Sequence, residues 1–210
     1  MPESEQIEWE DTQRLESWAG ETRLNLIRLL AIAVFYGRHL VEAFSSPAGS
    51  RVRGVYHIQV TVLCMIWAAV AFTLYVRLKQ RWMAPWLKFF STGFDAAMIT
   101  VLCVLAGGPK TPLVLLFFPL IAAAPLRLSL SLVYFATGCA ILGYLIVLAN
   151  YAWYVIGFKK YYSTPGFRIP RSEEAIIVLA LAVTGVMAGQ VVRQIRRIAA
   201  RYPVVATGAN

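Results

Sequence analysis

The chain has little charge, few cysteines and no polar region long enough to form an ordinary soluble domain. Only 15% of its 210 residues are charged and 59% are apolar, whereas soluble proteins average roughly a quarter charged and half apolar. Its three cysteines lie inside apolar segments and form no C-x-x-C pair, so neither a disulfide framework nor a zinc site is indicated. The composition therefore excludes an ordinary soluble protein and predicts a membrane protein.

Motifs of known enzymes are also missing. The sequence contains no G-x-S-x-G, H-E-x-x-H, Walker loop or G-x-G-x-x-G, so no known enzyme class is supported and we expect a protein that is not an enzyme. The net charge is +9, but the basic residues lie between apolar runs and do not form one continuous face. Nucleic acid is therefore not an expected partner.

Long apolar runs fill the chain between residues 23 and 192. Six runs occur, at about 24–44, 55–76, 86–106, 112–127, 130–156 and 175–192. About 20 helical residues cross a hydrocarbon core of ~30 Å, so the pattern predicts an all-α, polytopic bundle of six transmembrane helices. The fourth run reaches only about 24 Å and contains Pro119 and Pro125. A re-entrant fourth segment, with five full spans, is the alternative.

The two ends of the chain differ in charge. Residues 1–22 carry seven carboxylates and one arginine, and we predict an acidic tail that is only partly helical, near the membrane. Residues 193–210 instead continue the last run as a short basic amphipathic helix and tail. Six spans place both ends on one side, with twelve basic residues against eight on the other side. The positive-inside rule then predicts that both termini are cytosolic. The acidic start lacks the features of a signal peptide.

Ionisable residues inside the spans are the first candidates for a site. Asn25, Arg28, Tyr36 and His39 recur at helical spacing on the first span, and Asp95 lies near the middle of the third. A charge at membrane depth is costly, so Asp95 needs a counter-charge or a proton. We expect Arg28 to be that counter-charge, with Arg127 as the second choice. A structural pair and a ligand or proton site both remain open.

His39 and His57 lie where the first span ends and the second begins. Two histidines from adjacent helices could ligate a haem iron or another metal. A histidine at the end of a span is more often an interfacial hydrogen-bonding residue. We therefore list both histidines as candidates for ligand binding and predict no metal site.

The turn between the third and fourth spans reads Gly107, Gly108, Pro109, Lys110, Thr111, Pro112. Glycines followed by spaced prolines form a rigid bend whose main chain is accessible to a small molecule. A tight hairpin requires the same residues. The turn is thus a candidate ligand site that needs support from other residues.

The sixth span carries features typical of helix contacts. Gly185 and Gly189 form a G-x-x-x-G spacing, which permits close packing within the bundle or between two copies. Beyond them Ile195, Ile198 and Tyr202 continue at helical spacing, opposite the arginines. This exit helix could lie on anionic lipid or dock another protein.

These blocks resemble the six-span sensor domains of bacterial signalling proteins. The similarity rests on Arg23 to Arg28, Asp95, and Gly107 to Leu113, and the nearest families are redox-sensing histidine kinases of the photosynthesis-regulator type and membrane adenylate cyclases. In those kinases the loop reads Gly-Gly-x-x-Asn-Pro-Phe and is implicated in quinone binding. Here Thr111 replaces the Asn and Leu113 replaces the Phe. The resemblance implies a quinone as the ligand and a bacterial inner membrane as the location. We expect the chain to differ from those families in lacking their catalytic domain.

The leading hypothesis is a stand-alone sensor-type module that binds a lipophilic ligand such as a quinone near Gly107–Pro112. Because no output domain is visible, the signal would pass through the sixth span to a separate membrane or cytosolic protein, or to a second copy of the chain. The alternatives are a structural or assembly subunit of a membrane complex and, less favoured, a small proton-linked transporter that uses Asp95.

Overall fold

The computed structural model describes residues 3–45, 54–80, 86–155 and 171–201, and all regular structure in these ranges is helical. Its helices are α1 (Glu3–Ser45), α2 (Val55–Lys79), α3 (Leu87–Leu105), α4 (Phe117–Ala123), α5 (Leu130–Asn150) and α6 (Arg171–Arg201). Two short 3₁₀ helices, Pro112–Leu116 and Ala124–Arg127, flank α4, and a π-helical turn, Tyr151–Val155, follows α5. The predicted all-α membrane bundle is confirmed.

Within the described ranges, five helices are long and apolar enough to cross a membrane. Their candidate spans are Gly20–Ser45, Val55–Lys79, Leu87–Leu105, Leu130–Tyr154 and Ser172–Ile198. The sixth apolar stretch, Pro112–Arg127, is shorter. Proline has no N–H and disrupts a continuous α-helix, which explains why this stretch divides into a 3₁₀ helix, α4 and a second 3₁₀ helix.

The short fourth segment, residues 112–127, runs back along the length of α3. At one end Gly108 lies against Tyr151 at the end of α5, and at the other end Arg127 donates to the Lys88 carbonyl at the start of α3. The segment thus joins the same two ends of the bundle as the long helices do. This course favours six crossing segments over a re-entrant loop.

The first helix is longer than the sequence predicted. It begins at Glu3, inside the acidic tail, and continues without a break into the span that starts at Gly20. We predicted only partial helix in this tail. No proline occurs between Glu3 and Ser45, so nothing in the sequence forces the helix to end before the membrane.

The buried side chains form two clusters. The larger cluster lies among α3, α4, α5 and α6 and includes the fully buried Phe117, Leu132, Tyr144 and Leu181. The smaller cluster joins α1 to α2. Trp67 on α2 packs against both clusters, so this residue lies where the α1–α2 pair meets the rest of the bundle.

Large apolar side chains also cover much of the outer surface. On α1 the exposed residues include Leu26, Leu30, Val34 and Phe44. In water such a surface would be unfavourable, whereas the hydrocarbon of a bilayer solvates it and the helices satisfy their own backbone hydrogen bonds. The exposed residues therefore agree with a bundle surrounded by lipid.

Candidate functional site

A buried ion pair joins the first and third helices. Arg28 on α1 donates from Nη2 and Nε to Asp95 Oδ2 on α3, at 2.6 and 2.9 Å. The Trp67 indole N–H donates to the other carboxylate oxygen at 2.9 Å. The two charged side chains are only 9% and 13% exposed. Arg28 is therefore the counter-charge of Asp95, as the sequence predicted.

Asn25 extends this pair to the second helix. Its Oδ1 accepts a hydrogen bond from Arg28 Nη1 at 2.8 Å, and its Nδ2 donates to the Ala71 carbonyl on α2 at 3.0 Å. Asn25 and Arg28 are three residues apart, so they lie on the same face of α1. The polar stripe of the first span thus binds α1 to both α2 and α3.

A second ion pair lies closer to the end of the bundle. Arg127, at the end of the fourth segment, contacts Glu21 on α1 with 2.9 Å between Nη2 and Oε2. It also donates to the Lys88 carbonyl, the Thr92 hydroxyl and the Ser91 hydroxyl, at 2.9, 2.7 and 3.0 Å. This pair therefore connects three parts of the chain.

The second pair was not predicted from the sequence. We expected Arg127 to be an alternative partner of Asp95, and we assigned Glu21 to the acidic tail. Glu21 precedes Arg28 by two helical turns and so continues the polar stripe of α1. This spacing could have identified Glu21 as a member of the polar stripe. It was missed because residues 1–22 are acidic throughout, so Glu21 did not differ from its neighbours.

A cavity of about 190 Å³ lies beside the two ion pairs. Its wall is mostly apolar, with the side chains of Arg28, Asp95, Thr92 and Arg127 as its ionised or hydroxyl-bearing members. The apolar and weakly polar lining residues are Leu24, Ile27, Ala31, Ile32, Phe35, Cys64, Trp67, Ile99, Leu102, Leu116, Pro119, Leu120, Ala123 and Ala124. We call this space the α1 cavity. It places a polar contact inside an apolar pocket, the usual composition of a small-molecule site.

The Gly/Pro turn lies apart from this cavity. Gly107 and Gly108 have φ angles of 111° and 87°, a conformation that favours glycine, and a Cβ on Gly108 would lie 2.7 Å from Tyr151. The Thr111 hydroxyl accepts the Leu113 N–H at 3.4 Å and caps the following 3₁₀ helix. None of residues 107–112 lines the α1 cavity.

The separation has a simple geometric cause. Asp95 precedes Gly107 by twelve residues, which corresponds to roughly 18 Å along a helix. Of the two prolines of the predicted turn site, Pro109 is buried beside Gly108 and Pro112 is exposed at the start of the 3₁₀ helix. The structure therefore divides the predicted ligand residues into three groups, namely the ion pair, the turn and the two histidines, and of these only Arg28 and Asp95 line the cavity.

The two histidines do contact each other, at the opposite end of α1. His39 Nε2 and His57 Nδ1 are 3.1 Å apart, and their rings stack with centroids 5.2 Å apart. The Tyr36 and Tyr56 rings flank His39. Within the described ranges, no group of three or more His, Cys, Asp or Glu side chains could hold a metal ion. The pair is thus an interhelical hydrogen bond.

The predicted partner-binding residues of the last helix differ in exposure. Gly185 and Gly189 are buried and face α5: a Cβ on Gly185 would lie 2.3 Å from the Thr137 hydroxyl. Of the two meanings of G-x-x-x-G, the structure therefore shows packing within the bundle. Ile195 and Ile198 are exposed, whereas Tyr202 lies outside the described residues.

Comparison with known proteins identifies the family. The family model of the PilS-like transmembrane domain, a six-helix domain, matches residues 11–196. No curated protein and no solved structure matches the chain. The match covers most of the chain, from the acidic tail through α6, so the chain belongs to the PilS-like transmembrane domain family. It is a multi-pass membrane domain of the sensor type.

Proposed function

We propose that this PilS-like domain is a sensor module that binds a small lipophilic ligand in the α1 cavity and signals through a separate protein. The observation that carries the proposal is the α1 cavity itself, an apolar space with the Arg28–Asp95 pair in its wall. The ligand would touch α1, α3 and the fourth segment together. Its binding would then favour one arrangement of these elements over another.

The size of the cavity indicates the kind of ligand. An apolar protein cavity of about 150 Å³ accommodates benzene, so a cavity of about 190 Å³ accommodates one substituted ring. Ile27 and Pro119 line it and are also exposed at the outer surface, so an attached chain could extend into lipid. A quinone has both parts, a ring and an isoprenoid chain.

The polar wall favours a ligand with hydrogen-bond acceptors. Arg28 uses three donor contacts, two to Asp95 and one to Asn25, whereas a guanidinium has five N–H groups. Asp95 accepts from both Arg28 and Trp67. Its two oxygens are thus already engaged, while Arg28 retains donors. Quinone carbonyls accept such hydrogen bonds, which supports a quinone as the ligand.

The contacts of the fourth segment offer a route to the last helix. Arg127 lines the cavity, and the carbonyl of the next residue, Leu128, accepts a hydrogen bond from Arg196 on α6 at 2.8 Å. We infer that α6 carries the response to a membrane or cytosolic partner, or to a second copy, through the exposed Ile195 and Ile198. In this proposal the domain lies in a bacterial inner membrane, and both of its termini are cytosolic.

A matched pair of variants tests the ligand site. Ala31 lines the cavity, whereas Ala33 on the same helix does not, and both are exposed. Ala31→Phe should fill the cavity, and Ala33→Phe should add the same side chain toward lipid. We expect a short-chain ubiquinone analogue to raise the Tm of the native protein and of Ala33→Phe, and to leave that of Ala31→Phe unchanged.

The endogenous ligand provides a second readout. Lipid extraction and mass spectrometry of protein purified in mild detergent should show an enriched quinone in the native protein and a loss of it in Ala31→Phe. No enrichment, together with no stabilisation by added quinone, would eliminate the quinone proposal. Equal responses of the two variants would remove the α1 cavity as the site.

A structural or assembly subunit is the second candidate function. It is favoured by the contacts of Asp95, whose two oxygens accept hydrogen bonds from Arg28 on α1 and Trp67 on α2 and so join three helices. Cross-linking in native membranes distinguishes the two functions. An obligate, stoichiometric partner that is retained in Ala31→Phe would favour assembly over ligand sensing.

A further inference from the structure

Two arginines near the end of α6 donate hydrogen bonds to neutral oxygen atoms, one on α5 and one in the turn just before α5. Arg193 Nη2 donates to the Tyr134 hydroxyl on α5 at 2.9 Å, and Arg196 Nη2 donates to the Leu128 carbonyl at 2.8 Å. Both arginines are exposed. Each guanidinium is therefore positioned by a protein contact that leaves its positive charge uncompensated.

No carboxylate balances these charges within the described part of the chain. Neither of the ion pairs Arg28–Asp95 and Arg127–Glu21 includes Arg193 or Arg196. The sequence contains no acidic residue after Glu174. An external anion is thus the natural counter-charge, because charge-assisted hydrogen bonds to arginine are strong and guanidinium matches phosphate geometry.

The position of the two arginines identifies the anion. Both lie within the last part of the candidate span Ser172–Ile198, and Tyr134 lies one turn after the start of the span at Leu130. Arginine side chains at the end of a span extend to the headgroup layer. The anions at this depth, next to an exposed face of two transmembrane helices, are the phosphates of lipids.

We propose that Arg193 and Arg196, positioned by Tyr134 and Leu128, form a binding site for the phosphate of an anionic phospholipid. The two arginines are three residues apart, so their side chains leave the same side of α6 and can share one phosphate. Among the described residues no carboxylate forms an ion pair with either arginine, so neither positive charge is shared with a group that would attract the ammonium of a zwitterionic lipid. The site therefore prefers phosphatidylglycerol to phosphatidylethanolamine or phosphatidylcholine.

Native mass spectrometry of the full chain in mild detergent tests the site. Phosphatidylglycerol and phosphatidylcholine with identical acyl chains are added in equal amounts. We expect the native protein to retain phosphatidylglycerol at least five-fold more than phosphatidylcholine. In the double variant Arg193→Gln/Arg196→Gln this preference should fall below two-fold.

Two controls distinguish a specific lipid-binding site from a general effect of positive charge on lipid retention. Arg23→Gln/Arg77→Gln removes the same charge from exposed positions of α1 and α2 at the same end of the bundle and should keep most of the preference. Tyr134→Phe preserves the positive charges but removes the hydroxyl that accepts the Arg193 hydrogen bond, so it should reduce the retention of phosphatidylglycerol about two-fold. Equal losses in the two double variants would overturn the proposal.

An acidic protein is the competing occupant of this surface. A photo-cross-linking residue at Gln194, which is exposed between the two arginines, distinguishes the two cases in native membranes. Lipid adducts that disappear in Arg193→Gln/Arg196→Gln support the lipid site. A protein adduct with the same dependence would refute it.

Discussion

Two pairs of arginines in this bundle have opposite kinds of partner. Arg28 and Arg127 are buried, and each contacts a carboxylate from another part of the chain. Arg193 and Arg196 are exposed at the end of α6 and contact only neutral oxygen atoms among the described residues. The same side chain thus joins helices in one region and remains positively charged at the surface in the other.

The difference follows from the surroundings of each guanidinium. In the interior of a membrane bundle an uncompensated charge is far from water and from lipid headgroups, so the protein must provide the opposite charge itself. At the end of a span the headgroup layer is within reach of a flexible side chain. Burial therefore indicates which arginines determine the fold and which ones are available to the environment.

Breaking the Arg28–Asp95 pair should have the largest effect on stability. Asp95→Ala leaves Arg28 buried without its carboxylate and also removes the acceptor of Trp67, so we expect the free energy of unfolding to fall by about 3 kcal/mol. Chemical or thermal unfolding in detergent, followed by tryptophan fluorescence, measures this loss. A stability within 0.5 kcal/mol of the native value, roughly the effect of a neutral surface change, would contradict the proposed role.

A double-mutant cycle with Asp95→Asn and Arg28→Gln then isolates the pair itself. The coupling energy should be at least about 1 kcal/mol, because residues in one hydrogen-bonded network do not act independently. Additive losses would show that the two side chains stabilise the bundle separately.

Breaking the second pair should have an intermediate effect. Glu21→Gln removes the carboxylate of Arg127, but the Lys88 carbonyl and the hydroxyls of Ser91 and Thr92 still accept its hydrogen bonds. We therefore expect a loss of about 1.5 kcal/mol, the lower end of the range for a hydrogen bond to a charged group. The same unfolding assay applies, with Glu173→Gln at an exposed carboxylate near the start of α6 as the matched control. A loss as large as that of Asp95→Ala would show that the neutral acceptors contribute little.

Removing an exposed arginine of α6 should have the smallest effect on stability. In lipid-free detergent Arg196→Gln breaks one exposed hydrogen bond, so the free energy of unfolding should change by no more than about 0.5 kcal/mol. Added phosphatidylglycerol should stabilise the native protein more than this variant. A large loss of stability without lipid would mean that Arg196 stabilises the fold as the buried arginines do. The contrast between buried and exposed arginines would then be wrong.

The sequence predicted much of the architecture because the physics of a bilayer acts on local patterns. Apolar runs of about 20 residues require helices, so the long segments could be located without tertiary information. The same argument predicted a partner for Asp95, since a carboxylate at that depth needs one. Arg28 was identifiable because its depth and flexible stem allow few alternatives.

Other features depended on how distant segments meet. The pairing of Glu21 with Arg127 requires the fourth segment to end beside the start of α1, and no local pattern contains that information. The α1 cavity likewise depends on the packing of α1, α3 and α4. The turn at Gly107 to Pro112 looked like a ligand site because its composition suits one, yet α3 places it about 18 Å from Asp95.

The sequence by itself therefore determined the medium, the helical class and the need for charge compensation, because burial in hydrocarbon constrains every span separately. Only the tertiary structure decided which carboxylate compensates which arginine, where an apolar cavity remains, and which glycines face another helix. Those properties arise from contacts between segments far apart in the chain. Gly185 shows this well: its spacing permits two kinds of helix contact, and the position of Thr137 on α5 selects the one within the bundle.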